Sequence, residues 1–260
     1  MMKQWFVIFF VCVISFCPMH NAFGDKIVLV ADEWCPYNCE PESNMEGYMV
    51  DLAKAILGEA GHTVQYIAIN WSRSIHKSRE GRYHGIIGAV QVEAPDFIFS
   101  KEPLGLAKNR FWVKKDDPWR YTGIKSLQDR WLGVIQDYDY GKQLSDYINK
   151  NDGSLAVQVR AGDDALDVLI KKLEHGRINV LNEDKNVFMY KIKQMGKTHL
   201  FDDAGDDMTP KETNYVHIAF SPFFNKSKTY AKILSDGIKR YRKNGKLESI
   251  LSKYGLTDWK

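Results

Sequence analysis

The chain has 260 residues, with 36 Lys and Arg against 33 Asp and Glu, for a formal net charge of +3. So close a balance argues against a nucleic acid or other polyanion as partner. The length is enough for a sizeable core in one large or two medium domains.

Residues Met1 to Gly24 read as a secretory signal peptide. Lys3 supplies a short basic start, Trp5 to Phe16 an apolar run, and Ala22-Phe23-Gly24 small residues at the −3 and −1 cleavage positions. The run is too short for a comfortable membrane span, and no later segment reaches about 18 uninterrupted apolar residues. Neither Cys12 nor Cys17 follows the small residue a lipoprotein site needs. The rest of the chain is therefore expected in the periplasm, where Cys35 and Cys39 form an even pair in an oxidising compartment. A disulfide shaping the loop around Pro36 and Tyr37 is expected. A metal site is a poor alternative for two cysteines with no histidine beside them.

In chain order, Ile27 to Val30 predicts a strand buried on both faces. A loop with Trp34, Cys35, Pro36, Tyr37 and Cys39 follows. The spacing of Met49, Val50, Ala53, Ile56, Leu57 and Ala60 then predicts a helix from near Gly47, with Gly61 as its C-terminal cap. Strands over 64–69 and 85–90 flank a helix over 72–80, the alternation of parallel βαβ units. Residues 96–100 are short and β-prone, and 109–114 form another strand. Charge and proline at Lys114-Lys115-Asp116-Asp117-Pro118 mark a boundary. Beyond it come strands over 131–136, 155–159 and 178–181, and helices over 140–149, 163–175 and 186–195. Asp163 or Asp164 is placed to cap the second of those helices. The acidic run 202–212 reads as a loop, 215–220 as a strand, and the end as two amphipathic helices parted by Gly245.

A series, a break, a second series and a return strand fit an α/β chain of two lobes. The first would comprise residues 25–114 plus 216–260, and the second residues 115–215. Two crossings, near Phe111 to Lys115 and Tyr215 to Ser221, would make a double-strand hinge with a ligand cleft between the lobes.

The ordered set of motifs resembles the bacterial extracellular solute-binding proteins of family 3, the periplasmic polar amino-acid-binding proteins of ABC importers. It comprises Trp34 to Tyr37, Gly47 to Leu52, Gly81 to Ile87, Asp96 to Ser100 with Pro103, Leu132 to Ile135, and Lys246 to Gly255. The resemblance implies the two-lobed type II periplasmic binding protein fold, a small polar solute, a membrane permease as partner, and no cofactor. A monomer is expected. In amino-acid-binding members an arginine shortly before the segment matching Asp96 to Ser100 clamps the ligand carboxylate. Here Val90 to Pro95 holds none, which removes a bidentate guanidinium. Some relatives carry Trp-x-Arg after the second strand, matched by Trp71-Ser72-Arg73.

The candidate ligand residues are Trp34, Tyr37, Trp71, Arg73, Arg110, Tyr138 and Asp184. The aromatic groups suit stacking on a flat or cationic solute, and Arg73 sits at the carboxyl edge of the sheet. By the resemblance, Asp184 matches the acid that receives the ligand ammonium, and helix capping is its structural alternative. Asp137 and Asp139 lie at a helix start that would otherwise suit an anion, which leaves Tyr138 as a wall. Asp51 reads as structural, and Lys239 to Lys243 as a solvated helix face. No Gly-x-Ser-x-Gly, His-Glu-x-x-His or Walker loop is present, and the histidines after residue 24 are scattered. A binding protein, not an enzyme, is expected. An exported lyase on the same fold and a sensory binding protein are the alternatives.

Overall fold

The computed structural model describes residues 24–260, so the expected signal peptide lies outside the described residues save for its last position. The elements alternate as the apolar spacing predicts. Strand β1 (Lys26–Ala31) leads to helix α1 (Tyr48–Glu59), β2 (Thr63–Ala68), α2 (Trp71–Arg79) and β3 (Gly85–Ala89). Two short strands, β4 (Ile98–Phe99) and β5 (Gly105–Leu106), come before β6 (Asn109–Lys114). Then follow β7 (Leu132–Ile135), α3 (Gly141–Lys150), β8 (Val157–Arg160), α4 (Ala165–Glu174), β9 (Val180–Asp184) and α5 (Lys185–Gln194). Strand β10 (Phe201–Asp206), strand β11 (Tyr215–Phe220) and helices α6 (Ser227–Asn244) and α7 (Lys246–Lys253) close the chain.

These elements build two mixed sheets. In the first, the order is β2-β1-β3-β11-β4, with β5 also paired to β11. Strands β2, β1 and β3 are parallel, and β11 returns antiparallel beside β3. In the second, the order is β10-β6-β9-β7-β8, with β9, β7 and β8 parallel and β6 and β10 antiparallel additions. One apolar cluster runs from α1 and α6 through Trp34 and Tyr37 to Trp112 and Phe188, so the two lobes share packing at their seam.

Two expectations differ from the structure. Strand β6 belongs to the second sheet, since Asn109–Lys114 pairs with β9 and β10. Phe111, Trp112 and Val113 are buried there, so the charged break at 114–118 is only the turn at the far end of that strand. The crossings therefore lie earlier, at 107–108 and 207–214. They run side by side, joined by Ala107 N–H to the Asn214 carbonyl at 2.9 Å and Asp207 N–H to the Asn109 carbonyl at 3.4 Å. The second difference is the start of the acidic run 202–212, which is strand β10 and not a loop. Its acids are neutralised laterally: Asp202 by Lys115 at 2.8 Å, and Asp203 by Arg110 at 2.9 Å. Phe201 and Ala204 turn inward. Cross-strand charge pairs thus replace the apolar alternation that marks most strands. Asp164 takes the N-cap position of α4 but makes no side-chain capping bond.

Helix α1 is anchored to the loop before it. The N–H of Tyr48 bonds the Pro36 carbonyl at 3.1 Å, and that of Met49 the Tyr37 carbonyl at 3.0 Å. Two orphan donors of the helix start are satisfied in this way, and the loop is held against the helix. Gly47 makes the approach possible: its φ is +105°, and a Cβ would lie 2.4 Å from the Asn38 Cα. Gly47→Ala should lower stability by about 2–4 kcal/mol, combining the left-handed penalty with a backbone clash. Gly245→Ala, at φ +80° with nothing within 4 Å of its Cβ, should show only the conformational part, about 1–2 kcal/mol. Chemical denaturation of the two variants checks the difference, and equal losses would refute it.

Candidate functional site

At the seam between the sheets lies a cavity of about 50 Å³ whose lining comes from both sides. The first lobe contributes Asp32 after β1, Trp34 from the anchored loop, Trp71 at the start of α2, and Glu93 after β3. Gly88 also lines it, at a φ of +90° that suits a residue without a side chain. From the second lobe come Asn109, Tyr138, Asp139 and Glu183. Strands β1, β3 and β9 end here, as expected for ligands at the carboxyl edges of α/β sheets.

Polar contacts cross the seam through these groups. Trp34 Nε1 donates to Glu183 Oε1 at 3.1 Å, the Asp139 N–H to Glu93 Oε1 at 3.2 Å, and the Tyr138 hydroxyl to Asp32. Ser72 and Asp137 meet at the exposed mouth, and Lys191 reaches Glu33 at 3.3 Å. Glu93 is held by three donors, from Trp71 Nε1 at 3.2 Å and the backbone amides of Val90 at 2.9 Å and Asp139 at 3.2 Å. Burial in this low-dielectric seam pushes the carboxyls of Glu93 and Glu183 up to about 8, and that of Asp32 up to about 6. Burial also raises Asp139. Donated hydrogen bonds, such as Trp34 to Glu183, oppose the rise without cancelling it.

The sequence-derived candidates separate into three groups. Trp34, Trp71 and Tyr138 line the cavity, with Trp71 edge-on to Tyr138 at 6.4 Å. Tyr37 and Asp184 lie behind its wall. Tyr37 stacks on Trp34 at 4.0 Å and donates to Asp184 Oδ2 at 3.2 Å, forming a clasp across the seam. Asp184 caps α5, accepting from the amides of Asn186 at 2.9 Å and Val187 at 3.1 Å, and it also accepts from Lys108 N–H at 2.7 Å. Its oxygens are thus engaged by the protein, and its carboxyl rises to about 6 through burial. Arg73 and Arg110 are outside the cavity lining. Arg73 is exposed on α2, and Arg110 is committed to Asp203 and Asp206 of the neighbouring strand.

The acids that do line the cavity were missed. Strand parity decides Glu183 over Asp184, because adjacent residues on β9 face opposite ways. Glu93 lies in the segment noted only for its missing arginine. Cys35 and Cys39 are joined by a disulfide, closing the loop that carries Tyr37.

The sequence profile of the bacterial extracellular solute-binding proteins, family 3, matches residues 27–257. The chain belongs to that family. A search of curated proteins found no match. Solved structures share the fold at low identity. An ancestral arginine-binding protein bound to glutamine is 18% identical, with a TM-score of 0.69 over 88% of this chain and 97% of its own. A Streptococcus mutans structure from work on glutathione import is 18% identical, with a TM-score of 0.71 over 89% and 95%. A histidine kinase sensor domain similar to periplasmic binding proteins is 21% identical, with a TM-score of 0.70 over 89% and 96%. This family member therefore has the two-lobed type II periplasmic binding protein fold. Among the described residues, no helix is long and apolar enough to cross a membrane.

The raised carboxyls set a pH dependence. Below about pH 4.5, Glu93 and Glu183 are protonated in both folded and unfolded chains. Between about 4.5 and 8, the unfolded chain releases protons that the folded chain retains, so stability falls as pH rises. Asp32 adds to the fall up to about pH 6. The ligand-free protein should therefore melt at lower temperature at pH 8 than at pH 5. Calorimetry in matched ionic strength checks this, and a higher melting point at pH 8 would contradict it.

Proposed function

We propose that this family member is the periplasmic solute-binding component of an ABC importer, capturing a small polar solute and presenting it to a membrane permease. Residue for residue, the cavity at the seam carries this reading. Its lining is aromatic and acidic, and both lobes supply contacts, so a bound solute gains interactions only when the lobes are together. Such differential affinity is what lets a ligand drive closure. On this proposal Trp34, Trp71 and Tyr138 touch the solute. Tyr37 and Asp184 hold the lobes in register, and the crossings at 107–108 and 207–214 act as the hinge. The protein works as a monomer without a cofactor and does not turn its solute over.

Mass spectrometry of material released from the denatured, freshly purified protein tests the reading. A retained small molecule that rebinds with one-to-one stoichiometry supports it, and conversion of that molecule into a product refutes it. With the recovered solute in calorimetry, Trp71→Ala should weaken binding about tenfold or more, the scale of a lost aromatic face. Arg73→Ala should stay within about twofold, because an exposed side chain outside the cavity has little differential contact to lose. Equal effects of the two substitutions would refute the assignment of the walls.

A further inference from the structure

Resting on the solute-binding reading above, we infer that the seam cavity selects a compact organic cation, an ammonium or guanidinium compound with no carboxylate of its own. Asp32, Glu93, Asp139 and Glu183 line the cavity, whereas Lys, Arg and His are all missing from its lining. An incoming carboxylate would find no basic partner there, and like charge wherever the acids are ionised, an arrangement that rejects anions.

The open valences point the same way. Glu183 is only 3% exposed, and its Oε1 takes both the Trp34 indole N–H and the Asp184 amide. Its Oε2 has no hydrogen-bond partner. Ionised, that oxygen is an open acceptor in the cavity wall. The buried side-chain donors without partners belong to Tyr66, Ser78, Arg160, Asn182 and Trp259, none of which is in the cavity lining. Buried polar groups are normally satisfied, so for ionised Glu183 the missing group is a donor, and a charged donor would itself favour the ionised form that burial disfavours.

Walls and size narrow the class. Trp34, Trp71 and Tyr138 offer aromatic surface, to which cations are attracted. Among the described residues, no three His, Cys, Asp or Glu converge closely enough to hold a metal ion, so the acids ring the space without forming a coordination sphere. A cavity of about 50 Å³ has room for roughly three or four waters, which suits a head group of a few heavy atoms. A groove of about 960 Å³ shares Glu93, Tyr138 and Asp139 with it and can take the remainder of a longer molecule.

The test titrates the purified exported chain with propylammonium, 1,4-diaminobutane and methylguanidinium chlorides, with sodium propionate and L-alanine as controls. Tryptophan emission and thermal melting are followed at pH 8. At least one cation should shift the emission and raise the melting temperature by several degrees, while propionate and alanine should do neither. Glu183→Gln should weaken that cation at least tenfold and at the same time raise the melting temperature of the ligand-free protein. A purely structural Glu183 would not give those opposite movements. Asp32→Asn, which can keep the Tyr138 hydrogen bond, serves in the same role if Glu183→Gln does not fold. The inference is overturned if alanine or propionate binds as well as propylammonium, if no cation binds, or if both substitutions leave cation affinity unchanged. A solute recovered by mass spectrometry in those cases would keep the solute-binding reading intact. Turnover of a probe would remove that reading as well.

Discussion

Burial of carboxyl groups at the seam between the lobes is the constraint on which the rest of this structure depends. Acids are rarely buried unless paired, yet Glu183 is buried, Glu93 and Asp32 are half-buried, and no basic side chain lines the cavity they share. The protein manages them with indole, hydroxyl and backbone donors: Trp34 on Glu183, Trp71 on Glu93, and Tyr138 on Asp32. Each aromatic group that forms a wall is therefore also a hydrogen-bond donor. On the proposed function, recognition surface and electrostatic support would be the same side chains, which accounts for aromatic and acidic residues recurring together along the loops at the cleft.

Those loops are fixed by ordinary backbone chemistry. Trp34 and Tyr37 hold their positions because the start of α1 uses its free N–H groups on their loop, and because Gly47 lets the two backbones meet. The disulfide between Cys35 and Cys39 closes the same segment. On the other side, Glu183 ends a strand whose next residue, Asp184, caps the following helix. A cap fixes the direction of the chain at that point, so Glu183 is aimed by the helix that begins beside it. Both halves of the site thus rest on helix N-termini, one satisfied by carbonyls and the other by a carboxylate.

Much of the fold was legible in the sequence because its strands and helices carry strong apolar periods. Strand β10 was not, since Asp202-Asp203-Ala204-Gly205-Asp206 lacks that period and is stabilised by Lys115 and Arg110, which are distant in sequence. The lobe boundary shifted for a related reason. Charge at 114–118 marks the end of β6, but the crossing itself, at Ala107 and Lys108, has no local signature. Trp34, Trp71 and Tyr138 do line the cavity, but Trp34 and Trp71 are core residues as well, so the packing and binding readings of a tryptophan near a strand end do not separate by position alone. Glu93 and Glu183 were not expected in that lining. Their place there depends on which way a carboxyl points, and sequence spacing leaves that open at a strand end or in a turn. Resemblance favoured Asp184, one residue away, and a shift of one residue along a strand reverses its face.

The contacts across the seam are unequal, and this asymmetry bears on how a solute enters. Near the crossings, the Tyr37–Asp184 clasp is buried and shares Asp184 with the Lys108 amide at the hinge itself. At the opposite end Ser72 meets exposed Asp137, beside the groove that adjoins the cavity. An exposed polar contact exchanges readily with water and contributes little net free energy, whereas breaking the clasp would leave a buried carboxylate short of a donor. On the proposed function, separation would begin at the Ser72–Asp137 mouth and pivot about the clasp. A solute arriving by that route would meet Asp139 and Glu93 before Glu183, so the order of contact would run from half-exposed acids to the fully buried one. Desolvation of the solute can then proceed in steps, each met by a carboxyl group already in place.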